Sequence, residues 1–315
     1  MSTALVLGGG AARGWAHLGV IRALTEKEIP IDFVAGTSIG ALVGAVYAAG
    51  NIDSFRADVL KIDWKRVLGY LDFVFPKSGL IDGRKINTFI RTHVSASSFA
   101  DLSIPFCSVA TDMFSGREIV QCEGDLIQAV RASIAIPGIF TPVEQGELFL
   151  VDGGLVNPVP VSVAREHGAD FVIAVDLNHE FRNRKNNRKN KDGPAAGKRN
   201  LAATTASASP VGANPGSNRL ISELNKRLAG LRLAASQQFK QLLNRDDRPN
   251  IYEVLAASIY IIESRITAAR LVESPPDLLI QPKLAHIHLL GFDRAEEAID
   301  SGYQAAMATL ESFVP

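Results

Sequence analysis

Ile31-Asp32-Phe33-Val34-Ala35-Gly36-Thr37-Ser38-Ile39-Gly40-Ala41-Leu42-Val43-Gly44-Ala45-Val46-Tyr47-Ala48-Ala49-Gly50 is the stretch whose reading decides the fold. It reads as a short apolar strand, a Gly-x-Ser-x-Gly turn and an apolar helix that stops at Gly50, the pattern of a nucleophile elbow. A sharp strand-to-helix turn strains the serine backbone and lifts its hydroxyl clear of the sheet, while Gly36 and Gly40 leave space around it. Ser38 then stands at a helix N-terminus, where unpaired amides and the helix dipole favour negative charge. The stretch is uncharged from Phe33 to Ile52, with Gly36, Gly40 and Gly44 four residues apart, so its length alone also suits a membrane span. Gly-Thr-Ser-Ile-Gly would interrupt such a helix and no second span occurs, which favours the elbow. A chance Gly-x-Ser-x-Gly in a buried helix is the other reading open at this point.

Upstream, residues 4–7 read as the first strand, followed by Gly8-Gly9-Gly10-Ala11-Ala12-Arg13-Gly14 and a helix over residues 15–27. Strand, glycine loop, helix, strand, elbow, helix is an α/β plan with a parallel sheet, and both glycine loops fall at carboxyl ends of strands, where ligands gather. The first loop is neither a P-loop, which would need Gly-Lys-Ser or Gly-Lys-Thr, nor a dinucleotide fingerprint, since Arg13 or Ala11 stands where a glycine is required. It can still turn backbone amides toward a negative charge at a helix N-terminus.

Downstream, residues 51–102 look helical and suggest cap helices, with an apolar run at residues 67–75 that would suit either lipid contact or ordinary packing. A hairpin over residues 106–122 sets Cys107 and Cys122 nearly symmetrically about its turn, so they could face each other across two strands. Reduced thiols are the expectation, because two cysteines do not make a secreted framework. A helix near residues 125–133, two short β segments leading into Asp152-Gly153-Gly154, and a buried strand over residues 171–176 complete residues 1–177 as a catalytic core. Residues 178–219, rich in Arg, Lys, Asn, Ala, Ser, Gly and Pro, read as a flexible basic insertion that either lies on anionic headgroups or is simply solvated. Residues 220–315 read as further helices and short strands of the same domain. Among them are a helix at 220–243, one at 251–271 with Ile251, Val254, Leu255, Ile259, Ile262 and Ile266 on one face, and strands at 278–280 and 285–290. A closing helix over residues 292–313 ends the chain.

With 315 residues, 47% of them hydrophobic, the chain can bury a large core. Lys plus Arg equals Asp plus Glu at 33 each, which argues against a general nucleic-acid binder. The N-terminus lacks the basic start and long apolar run of a signal peptide, so a cytoplasmic protein is expected, with peripheral contact at the inner membrane surface if the basic insertion binds lipid.

A serine nucleophile needs a base. The six histidines, at 17, 93, 167, 179, 286 and 288, lack the glycine-flanked loop expected of a catalytic partner, whereas Asp152 ends a strand and is followed by two glycines that allow close approach. An ordinary Asp-Gly turn is the plain alternative. Taken together, Gly8 to Gly14, the Gly36 to Gly40 elbow, Arg131-Ala132-Ser133-Ile134-Ala135-Ile136-Pro137-Gly138 and Asp152-Gly153-Gly154 resemble the bacterial form of the patatin-like phospholipase family.

The resemblance implies an α/β three-layer sandwich with a mainly parallel central sheet, like the catalytic domains of patatin and cytosolic phospholipase A2. It also implies a Ser-Asp dyad in place of a triad. Carried over by position, Ser38 is the nucleophile, Asp152 the base, and the amides of Gly9, Gly10 and Ala11 form an oxyanion hole beside Arg13. Gly36, Gly40, Gly153 and Gly154 shape the elbow and the base loop. The implied substrates are acyl esters of phospholipids or lysophospholipids, with neither metal nor cofactor required. The departure is Ala11, where the family usually has glycine, because alanine holds a positive φ poorly. Two other readings stand beside this one: a Ser-His-Asp α/β-hydrolase, whose elbow normally comes much later in the chain, and a non-catalytic adaptor on a hydrolase scaffold.

Overall fold

The computed structural model describes residues 1–62, 83–180 and 251–313, all within one unit formed by Met1–Asn183 and Pro249–Pro315. The apolar run at residues 67–75, nearly all of the basic segment and the expected helix at 220–243 lie outside the described residues.

Strands β1 (Thr3–Leu7), β2 (Phe33–Thr37), β3 (Phe106–Asp112), β4 (Glu118–Gln121), β5 (Val143–Gln145), β6 (Leu148–Asp152), β7 (Phe171–Val175) and β8 (Leu278–Ile280) form one sheet. Its order is β5-β6-β3-β2-β1-β7-β8, with β4 paired to β3. The run β3-β2-β1-β7-β8 is parallel, and β4, β5 and β6 are antiparallel additions. Alternating side chains of β1 feed two cores, Leu5 and Leu7 on one face and Ala4 and Val6 on the other. Burial on both faces explains why these strands are apolar without interruption.

The first face carries helices α1 (Ala16–Glu26), α2 (Ile39–Ala48), α3 (Ile52–Val59), α4 (Arg84–His93), α5 (Leu126–Ser133) and α8 (Ala295–Ser312). The second carries α6 (Val161–Glu166) and is met by Leu271 of α7 (Ile251–Glu273). The fold is therefore a three-layer α/β sandwich, as the resemblance implies. No helix among the described residues is long and apolar enough to cross a membrane.

Register places the site. Leu7 pairs with Gly36 of β2 on one side and with Val175 of β7 on the other. The glycine loop after β1 and the elbow after β2 therefore leave the sheet side by side, where strand order turns about β1. Asp152 reaches this edge by the antiparallel β6, paired with Ala110 of β3.

Three expectations are corrected. The apolar positions read as the inner face of α7 are largely outside: Val254, Leu255 and Ile262 are exposed, and the buried positions are Ile259, Tyr260, Glu263, Ser264 and Thr267. Residues 285–290 form turns instead of a strand. Their carbonyls serve the glycine loop, with Leu289 accepting from the Ala12 amide at 3.1 Å and Ile287 from Arg13 Nε at 3.0 Å. Cys107 and Cys122 do face each other across the β3–β4 hairpin, 4.4 Å apart at Cα, but as a disulfide and not as reduced thiols. That spacing is the one taken by the closer class of opposed pairs in an antiparallel ladder, which leaves the two side chains in contact.

Candidate active site

Ser38 is the N-cap of α2 at φ 57°, ψ −126°, one of three non-glycine residues with positive φ among those described. Such a conformation costs of order 1–3 kcal/mol and persists only where its surroundings impose it. Here they do. The Ser38 amide donates to Ser133 Oγ at 2.8 Å, and that hydroxyl donates to the Val109 carbonyl at 2.6 Å, fastening the elbow to β3 and α5. Thr37 Oγ1 donates to the Asn157 carbonyl at 2.8 Å on the opposite flank.

The Ser38 hydroxyl donates to Asp152 Oδ2 at 2.6 Å, with both side chains buried. Asp152 is held in turn: its Oδ1 accepts the Gly154 amide at 2.8 Å, and its backbone carbonyl accepts from Thr111 Oγ1 at 2.8 Å. Burial pushes the Asp152 carboxyl up to about 7, against the hydrogen bonds from Ser38 and Gly154, which stabilise the ionised form. A carboxylate of that basicity is a far better proton acceptor for a hydroxyl than an exposed aspartate.

Among the described residues, the Ser38 hydroxyl is bonded to Asp152 and to no histidine. His17, buried beneath the glycine loop, meets the Gly8 carbonyl through Nε2 at 2.8 Å, and burial lowers its pKa to about 4, so it is neutral. His93 packs edge-on against Phe55 and Phe89, His167 lies beside the cysteines, and His286 is exposed next to Glu297.

The glycine loop lies against the elbow, since a Cβ on Gly9 would be 3.5 Å from Ser38 Cβ. The Gly9 amide is donated to the Pro158 carbonyl at 2.9 Å and is committed there. The amides of Gly10 and Ala11 have no acceptor among the described residues. Ala11 takes φ 47°, so alanine does occupy the left-handed conformation usually left to glycine. Arg13 is buried and ties the loop to the rest of the fold through the Ile287 carbonyl, Asn178 Oδ1 at 3.2 Å and the face of Tyr260.

Sequence reasoning missed Ser133 as a partner of the elbow, and it missed the polar face of α7. A Cβ on Gly154 would fall within 3.1 Å of both Glu263 Oε1 and Asp152 Oδ1, so the two carboxyls border the same glycine. Burial and the neighbouring Asp152 charge hold the Glu263 carboxyl well above the usual range. Burial, with Glu263 and Asp152, raises Tyr260 likewise, while Arg13 opposes the shift. The spacing of Tyr260, Glu263, Ser264 and Thr267 is that of one helix face and was visible in the sequence as such.

A strained serine hydrogen-bonded to a buried carboxylate at the carboxyl edge of a parallel sheet is the geometry of a nucleophile elbow. Residues 5–165 match the family model for patatin-like phospholipase, and the chain belongs to that family, whose members are lipid ester hydrolases. It is 32% identical to the uncharacterized NTE family protein Rv1063c of Mycobacterium tuberculosis, over 98% of this chain and 91% of that protein. It is 37% identical to human patatin-like phospholipase domain-containing protein 6 over 55% of this chain and 13% of that protein. The structure of VipD from Legionella pneumophila aligns over 99% of this chain and 66% of that one, at a TM-score of 0.44 and 12% identity.

Proposed function

We propose that the chain cleaves acyl ester bonds of phospholipids or lysophospholipids through a Ser38–Asp152 dyad and an acyl-enzyme intermediate. The observation that carries this is the buried 2.6 Å hydrogen bond from the strained Ser38 to Asp152. Ser38 attacks the acyl carbonyl as Asp152 takes its proton. Asp152 then returns that proton to the departing alcohol, and water, activated by the same carboxylate, cleaves the acyl-enzyme.

The developing oxyanion is met by the Gly10 and Ala11 amides, which have no other acceptor among the described residues. One such donor is typically worth about 3 kcal/mol. Gly9 and Arg13 then act by holding the loop, and Gly36, Gly40, Gly153 and Gly154 by letting backbones meet. The dyad needs no metal or cofactor for these steps. The lipid substrate implies peripheral contact with a membrane surface.

The test is fatty-acid release from vesicles of phosphatidylcholine or lysophosphatidylcholine. Wild type is expected to release acid, and folded Ser38→Ala to fall to the uncatalysed rate. Equal release by both would refute the reading.

A further inference from the structure

Away from the proposed dyad, on the α6 face of the sheet, Cys107, Cys122 and His167 bring one ligand atom each within 4.8 Å of one another, the only such group of three among the described residues. The histidine is set in a particular way. Its Nδ1 lies 2.8 Å from the Val163 carbonyl, which can only accept, so Nδ1 carries the ring proton and Nε2 presents a lone pair. That lone pair faces Cys107 Sγ at 3.4 Å and Cys122 Sγ at 3.5 Å. The ring is fixed by stacking on Phe33, with centroids 4.8 Å apart and planes at 15°. In the disulfide, neither sulfur has a proton to give, so the arrangement satisfies no hydrogen bond there.

We propose that Cys107, Cys122 and His167 form a binding site for a thiophilic divalent cation of the zinc class, closed while the cysteines are joined and opened by their reduction. Four observations support it. A tetrahedral zinc site, with Zn–S near 2.3 Å and Zn–N of 2.0–2.1 Å, has S···N edges of about 3.6 Å, and both edges here are already close to that. Only the sulfurs must part, to about 3.8 Å. An imidazole that gives its far N–H to a backbone carbonyl is the usual setting of a histidine ligand. Two thiolates neutralise a dication, which suits a site whose Cys107 is 1% exposed, while exposed His167 leaves a way in and a fourth position for water or a further ligand. Thiolate and imidazole donors favour zinc over magnesium or calcium.

The chemistry balances. A dithiol or phosphine reductant supplies two electrons, and with two protons the S–S bond becomes two thiols while the reductant is oxidised. The cation then displaces both thiol protons, which pass to solvent. This proposal does not depend on the lipid-hydrolase reading.

The test uses the full chain, reduced anaerobically with a phosphine, with free thiols counted and the far-UV spectrum recorded. Cobalt(II) titration should give tetrahedral d–d and sulfur-to-cobalt charge-transfer bands at one equivalent, displaced by zinc(II) and absent from the oxidised protein. Cys122→Ser should lose the bands, and His167→Ala should bind at least tenfold more weakly. A reduced, folded wild type without these bands would overturn the proposal. So would equal affinity in His167→Ala, or a chain that unfolds when its disulfide is reduced.

Discussion

Asp152→Asn is expected to lower kcat by about a thousandfold while leaving KM nearly unchanged, since a positioned general base typically contributes 10²–10⁴ and acts only as the proton moves. Asparagine keeps the shape of the site, and its one oxygen can still accept the Gly154 amide, but its NH2 then faces Ser38 and cannot take the serine proton. The wild-type pH profile should rise with pH through a limb near 7, where the buried Asp152 carboxyl ionises, and Asp152→Asn should lack that limb. Burial sets it, opposed by the hydrogen bonds from Ser38 and the Gly154 amide.

Stability carries the same signature. Because the folded Asp152 binds its proton more tightly than the unfolded one, its contribution is full at acidic pH and is lost as pH rises through about 7. Melting temperatures of Asp152→Asn should therefore improve relative to wild type between pH 5 and pH 8. Unchanged kcat in a folded Asp152→Asn would remove Asp152 from the mechanism.

Gly40→Ala is expected to cost about 3 kcal/mol or more. The added Cβ would strike the carbonyls of Leu7 and Gly8, and these are backbone atoms of β1 and of the glycine loop, which cannot swing aside as a side chain does. The elbow and the loop would have to separate, so urea unfolding should show a large drop in midpoint and the surviving folded fraction should lose activity. Gly50→Ala is the matched control. No atom of the described residues lies within 4 Å of its Cβ position, and only the φ of 77° resists the change, worth about 1 kcal/mol. Equal stability of the two variants would contradict the close approach at Gly40.

The elbow was legible because it is written locally: strand, Gly-x-Ser-x-Gly and helix follow one another within twenty residues, and each signal agrees with the next. Asp152 was harder. An Asp-Gly-Gly turn is common, and only its company with the other motifs singled it out, since the pairing of β6 with β3 that brings it to Ser38 is a long-range fact.

The α7 face was misread for a physical reason. Apolar periodicity normally marks the buried side of a helix, but this helix buries Tyr260 and Glu263 and leaves Val254, Leu255 and Ile262 exposed. Residues 285–290 alternate like a strand, yet their carbonyls are taken by Ala12 and Arg13, which no local pattern announces. The cysteines were placed correctly across the hairpin, but their bonding depends on opposed register, which the sequence shows only through the symmetry of the turn.

Covalent labelling by a fluorophosphonate, with the adduct located by mass spectrometry, tests the central claim most directly. An activated Ser38 predicts a single adduct on its own peptide, formed rapidly in wild type and far more slowly in Asp152→Asn. A folded wild type that takes no adduct, or takes it on another serine, would contradict the account.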